Sequence, residues 1–226
     1  MKKSVRFAIC LGTAALMTSV ASQSNAQLGN LRNALPGGSR PAASSPDAFL
    51  SETVETTKLV MTAAALLAAA ASESPNKDAL KAQIGAIQSA SSPGDLQGQK
   101  AQFDANIETI NQNAADADQL QAVYDKADAK QKELMLTAAY NFTIGMLRNV
   151  ELGQQAPGII RGVAANPMNV GKLGALRASA GLLGDQVQAT RSMIGPMRTL
   201  LSKGGVEVPA NASASDAKPV SEDLFL

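Results

Sequence analysis

The chain has 226 residues, of which 45% are apolar and 3% aromatic, and its 20 basic side chains nearly balance 19 acidic ones. It has no His, no Trp and a single Cys, which excludes a Ser–His triad and leaves the commonest general base out of reach. Few β-branched residues and an abundance of Ala, Leu, Gln and Met favour helix, and no run alternates with period two, so an all-α fold is expected.

Residues 1–26 read as a cleavable bacterial export signal. Lys2, Lys3 and Arg6 form the basic start, residues 7–20 the apolar stretch, and Ser24-Asn25-Ala26 supplies small residues before a cut at Gln27. Cys10 lies inside that stretch, so the mature chain carries no thiol and no disulfide in an oxidising compartment. A periplasmic location is expected, with secretion or peripheral attachment to the outer membrane as the alternative. Removing 26 of 226 residues leaves 200, enough for one sizeable core. Residues 27–45, with Pro36-Gly37-Gly38, Pro41 and a Ser/Ala cluster, read as a flexible linker.

Residues 46–203 should form one elongated antiparallel bundle of about five helices. The first starts at Ser45-Pro46-Asp47, an N-cap followed by a proline at the first helical position and an acid at the positive dipole end. It runs to about residue 72, and its second half, residues 59–71, reads LVMTAAALLAAAA without a charge. That run alone is too short to cross a bilayer, so it reads first as a buried core element. Ser74-Pro75 starts a second helix over residues 75–90, which Ser91-Ser92-Pro93-Gly94 ends.

A third helix is expected over 95–113, its seam continuing through Phe103, Ile107, Ile110, Ala114, Ala117, Leu120 or Gln121, and Tyr124. The pair Asp116 and Asp118 fits a helix restart or a solvated face better than a metal site, because no EF-hand glycine or glutamate follows. Asp128 with Gln131 makes a capping box for a fourth helix over 128–152. Within it residues 134–150 are apolar on nearly every face, interrupted by Asn141 and Arg148. Residues 153–169 carry Pro157-Gly158 and Asn166-Pro167 and read as a connection with a short helical turn.

The fifth helix, residues 170–202, has the clearest heptad seam: Leu173, Leu176, Ala180, Leu183, Val187, Thr190, Ile194, Met197 and Leu201. Pro196 should kink it after Ser192, and Gly204-Gly205 should stop it. Residues 204–226 read as a disordered acidic tail; its last four residues, Asp223-Leu224-Phe225-Leu226, apolar after an acid, read first as a frayed end, with a short docking peptide as the alternative.

Charge is segregated along the chain. Residues 47–126 hold 11 acids against 5 bases, and residues 154–203 hold 6 bases against Asp185. Antiparallel packing would neutralise the two regions. The spread of the bases, without an aromatic platform, argues against nucleic acid. Glu52 with Glu55, and Ser51, Ser179 or Ser192 with a lysine, lack the context of a catalytic pair. No enzyme activity, cofactor or metal is therefore expected, and no stable transmembrane span.

Two functional readings remain. The first is an exported adaptor, scaffold or chaperone-like component of a bacterial envelope assembly, acting by contact with a protein partner or a second copy. Its partner seam is Leu173, Leu176, Leu183, Val187, Ile194 and Met197. The second is an amphiphile- or lipid-binding, membrane-interacting protein. There Val60, Met61, Leu66, Leu67, Met135, Tyr140, Phe142 and Met146 would line an apolar surface or cavity, the methionines making it adaptable. A pore-forming helical toxin is a variant of the second reading.

Overall fold

The structure is a computed structural model that describes residues 45–72, 75–114, 116–209 and 212–220. The expected export signal and linker therefore lie outside the described residues, apart from Ser45. The fold is an all-α bundle, with no strand among the described residues. Its helices are α1 Pro46–Ala71, α2 Lys77–Ser89, α3 Pro93–Gln97, α4 Lys100–Asn113, α5 Ala117–Lys126, α6 Ala129–Ala164, α7 Leu173–Thr190 and α8 Ile194–Lys203.

The start of α1 follows its sequence signal. Ser45 Oγ accepts from the Ala48 N–H at 3.1 Å, Pro46 opens the helix and Asp47 sits in the first turn. The helix is long and apolar enough, by length and composition, to cross a membrane, a wider window than the uncharged run alone. In this fold residues 60–68 are instead buried in the chain's own interior.

Its main partner is α6, which runs antiparallel to it. Phe49 shares a cluster with Leu152 and Ala156, Glu52 meets Arg148, and Val60 lies against Gly145. At Gly145 the contact is close enough that a Cβ would lie 2.7 Å from Val60 Cγ2. The two runs that are apolar all round therefore cover each other, because neither has a polar face to turn to water.

Several boundaries differ from the sequence expectation, each for a local reason. Helix α2 starts at Lys77, because Asn76 Oδ1 caps the Ala79 N–H at 3.0 Å; Ser74 lies outside the described residues. The expected third helix is divided. Ser92 and Asp95 form a capping box for short α3, and the chain bends at Gly98-Gln99 before α4. Asp95 accepts the N–H groups and hydroxyls of Ser91 and Ser92, which holds its carboxyl below the ordinary range. The seam beginning at Phe103 ends at Ala114, whose φ of −152° breaks the helix. Asp116 Oδ1 then accepts from Gln119 N–H at 2.8 Å and restarts it as α5, with Leu120 rather than Gln121 buried.

The largest departure is α6. Its Asp128–Gln131 capping box is as expected, but the helix continues past Leu152 and through Pro157 to Ala164. An interior proline costs about 3 kcal/mol in a helix. The carbonyl that must tilt away from its ring belongs to Gly153, and the proline itself is exposed. Just before it Ala156, and beyond it Ile159, Ile160 and Val163, pack with Leu173, Leu176 and Leu183 in a second cluster, which favours continuing the helix. A 3-10 segment, Pro167–Lys172, then leads into α7. The expected kink before Pro196 is a 3-10 turn, Arg191–Met193, between α7 and α8.

The acidic and basic regions meet where Lys172 Nζ reaches Asp47 at 2.6 Å. Both side chains are exposed, so the pair contributes under about 1 kcal/mol. Apolar burial, rather than charge neutralisation, holds the two regions together.

Candidate functional site: a strapped crevice between α1 and α6

Helix α8 ends in a Schellman motif. Gly205 takes φ +68°, Val206 N–H donates to Leu201 O at 2.8 Å, and Gly205 N–H donates to Ser202 O at 3.2 Å. A residue with a Cβ is strained at that φ, so glycine is what lets the chain leave the helix and turn back. The following segment was expected as a disordered tail. Over 206–209 and 212–220 it forms only one 3-10 turn, Ala214–Asp216, yet it lies against the bundle as a strap. Val206, Val208, Ala212, Ala217 and Val220 pack on the main core cluster. Residues 221–226, read from sequence as a frayed end or alternatively a docking peptide, lie outside the described residues.

The path of the strap follows from its neighbours. Val206 to Val208 border a groove of about 320 Å³ with Thr143, Leu147, Arg198 and Leu201. Ser213 to Ser215 lie beside Glu52, Thr56 and Arg148. Lys218 and Val220 then lie beside Leu59, Thr62, Ala63, Leu66 and Asn141. The last stretch thus runs along the α1–α6 crevice in the direction of α1.

Asn141 holds that stretch. Its Nδ2 donates to the Lys218 carbonyl at 2.8 Å, and the Lys218 N–H donates back to its Oδ1 at 2.8 Å. Both bonds are to main chain, so the grip does not read the side chain of residue 218. Lys218 Nζ lies 4.8 Å from the centre of the Tyr140 ring, a cation–π contact. Upstream, Asp216 accepts the Ser213 N–H at 2.6 Å and its hydroxyl at 2.8 Å, closing the turn.

Two predictions arise here. Asn141→Ala should cost about 1–3 kcal/mol, the range for unpairing buried polar groups, and speed amide exchange across 212–220. Asn141→Asp keeps the acceptor but loses the donor, so it should fall between. The second concerns Tyr140, whose phenol is pushed up by burial and then by the charge of Asp216. A folded pKa above the unfolded value of about 10 means the neutral phenol favours the folded state. That contribution is complete below about pH 10 and is lost as pH climbs through the folded value. Urea unfolding across alkaline pH should show the decline, and Tyr140→Phe should remove it.

A second polar layer lies deeper, where α6 meets α1 and α7. Arg148, 4% exposed, is bonded to Glu52 and to Glu151 at 2.7 Å. Asn149 Nδ2 donates to Gln186 Oε1 at 2.6 Å, and the Thr190 hydroxyl donates to Gln186 O at 2.6 Å. Among the described residues no group of three or more His, Cys, Asp and Glu side chains could hold a metal, and Glu52 and Arg148 of this layer border a small cleft with Glu55, Thr56 and Ser213 to Ser215.

The residues picked out from sequence fall as follows. Val60, Met61, Leu66, Leu67, Met135, Tyr140, Phe142 and Met146 are all buried in the main cluster. Of these, Leu66 borders a groove and Tyr140 meets Lys218. In the seam, Leu176, Leu183, Val187, Ile194 and Met197 are buried within the same chain and Leu173 is half-buried, so their contacts are with neighbouring helices. Asn141, Lys218, Ser213 and Asp216 were not picked as site residues. The available signal is a side-chain amide, Asn141, flanked on both sides by aromatic residues in a mostly apolar helical run.

Compared with known families, curated proteins and solved structures, the chain matches none.

Proposed function

We propose that this is an exported, non-enzymatic helical-bundle protein that acts by protein contact, as an adaptor, scaffold or chaperone-like component of a bacterial envelope assembly. The observation that carries the reading is the Asn141 grip. A side-chain amide that takes both hydrogen bonds of an extended backbone, between apolar walls, is a means of holding polypeptide with little regard to sequence. The absence of His and of a mature Cys supports a role without catalysis. Export through a cleaved signal rests on residues 1–26, and a mature N-terminus at Gln27 is the expected result of terminal sequencing.

The test is a photo-crosslinking residue placed at Leu147, on the crevice wall, in chain produced in its own envelope. A discrete protein adduct that Asn141→Ala weakens or strengthens supports the reading. A strict monomer by light scattering, with no protein adduct, overturns it. The alternative, an amphiphile- or membrane-interacting protein, draws on the half-open apolar grooves beside Leu59 and Leu147. It requires delipidated protein to float with anionic liposomes, or native protein to carry lipid into the mass spectrometer.

A further inference from the structure

Among the described residues only two large apolar side chains stand exposed, Met168 at 93% and Val170 at 46%. They sit together on the 3-10 segment Pro167–Lys172, which joins α6 to α7 at one end of the bundle. A formed turn presents them. Asn166 Oδ1 accepts the Met168 N–H at 3.1 Å, and the Asn169 N–H donates to Asn166 O at 3.0 Å. Residues 162–171 carry no charge, and bases bracket them. Arg161 lies in the last turn of α6, Lys172 closes the 3-10 segment, and Arg177 stands one turn into α7. No acid occurs between Glu151 and Asp185. Asp47 of α1 also reaches this end, but both its oxygens are held by Lys172 Nζ, at 2.7 and 2.6 Å.

We infer that this end of the bundle is a docking surface for an anionic phospholipid layer. Met168 and Val170 enter the headgroup region, and Arg161, Lys172 and Arg177 meet the phosphates around them. The make-up of the patch selects this occupant. A stable protein interface covers about 800 Å² on each partner, well beyond what two neighbouring side chains present. Interfacial insertion needs a few protruding apolar groups with bases beside them, and each base near an anionic surface strengthens binding about fivefold. A stretch without acids also avoids repulsion from the phosphates.

The surface lies apart from the α1–α6 crevice. Asn141 is about 35 Å along the axis of α6 from Ala164, at 1.5 Å per residue. Docking at Met168 therefore leaves the crevice open to a protein partner, and the inference stands or falls separately from the reading above.

The chain lacks Trp, so Met168→Trp places a single indole reporter at this surface. The chain is isolated from its own envelope and stripped of lipid. Phosphatidylglycerol vesicles should then shift the emission to the blue, brominated acyl chains should quench it, and phosphatidylcholine vesicles at the same concentration should do neither. Cosedimentation of the chain without the reporter should show the same preference and weaken as salt rises. Arg161→Gln with Arg177→Gln should lower the affinity for phosphatidylglycerol about 25-fold, two bases at about fivefold each. Met168→Ser with Val170→Ser should lower it at least about tenfold. All four positions are exposed, so helical circular dichroism should not change. An unshifted reporter, or vesicle binding that ignores both double variants, would overturn the inference. So would a blue shift that comes with rising chain concentration or with an envelope protein extract and not with vesicles, because the surface would then be a protein interface.

Discussion

Arg148→Ala should cost about 3 kcal/mol, read as a lower midpoint in urea unfolding. The guanidinium is 4% exposed and is shared by Glu52 of α1 and Glu151 of its own helix. It cannot shed its proton, so burial obliges it to be paired. Removing it leaves two carboxylates that are 36% and 30% exposed and partly reach water, which places the cost at the low end of the range for a broken buried pair. Removing both acids, as Glu52→Gln with Glu151→Gln, should cost at least as much, because the buried cation then has no counter-charge. Arg148→Lys should rescue poorly, since an ammonium cannot fork between two acids as a guanidinium does. The combination Glu52→Leu, Arg148→Met and Glu151→Leu should recover most of the loss, because apolar replacement of a whole buried ion cluster is often neutral. If the triple variant were as unstable as Arg148→Ala, the cluster would be contributing more than its own desolvation.

Gly145→Val should cost about 2–3 kcal/mol through overpacking. The added Cβ alone meets Val60 Cγ2 at 2.7 Å, and Val60 is fully buried. A β-branched neighbour has few rotamers to retreat into, so α1 and α6 must move apart. Gly145→Ala should cost less, because alanine recovers about 1 kcal/mol of helix propensity. Gly184 supplies the contrast. It is exposed on α7 with nothing near its missing Cβ, so Gly184→Ala should stabilise by about 0.5–1 kcal/mol. The same urea titration reads both, and equal shifts in the same direction would refute the close contact of α1 with α6.

Much of the helical layout is legible in the sequence where local chemistry decides it. Ser45-Pro46, the Asp128–Gln131 box and Gly204-Gly205 each act within one turn, and the structure uses all three. The errors come where tertiary contact overrides local preference. Pro157 looks like a terminator, but the apolar stripe beyond it has a cluster to join, and the tilting carbonyl belongs to a glycine. The seam from Phe103 to Tyr124 has unbroken spacing, yet Asp116 captures an N–H group and restarts the helix. The strap carries the weakest local signal. Its composition is that of a disordered segment, and its main anchor is an amide 77 residues away in sequence. The candidate cavity and seam residues lie buried within the chain, Leu173 only partly, and periodicity alone cannot say whether such a face meets its own chain or another.

The pairing of α1 with α6 also sets the order in which the protein can hide its least soluble stretch. The uncharged run from residue 59 and its cover from residue 134 are separated by about 75 residues of chain. At synthesis rates of roughly 5–20 residues per second, several seconds pass before the covering helix exists. Residues 59–71 must spend that interval as a nascent chain without their native neighbour. Richness in alanine, a poor strand former, lowers the hazard of intermolecular sheet pairing during the wait. Composition there serves passage to the folded state as much as close packing within it.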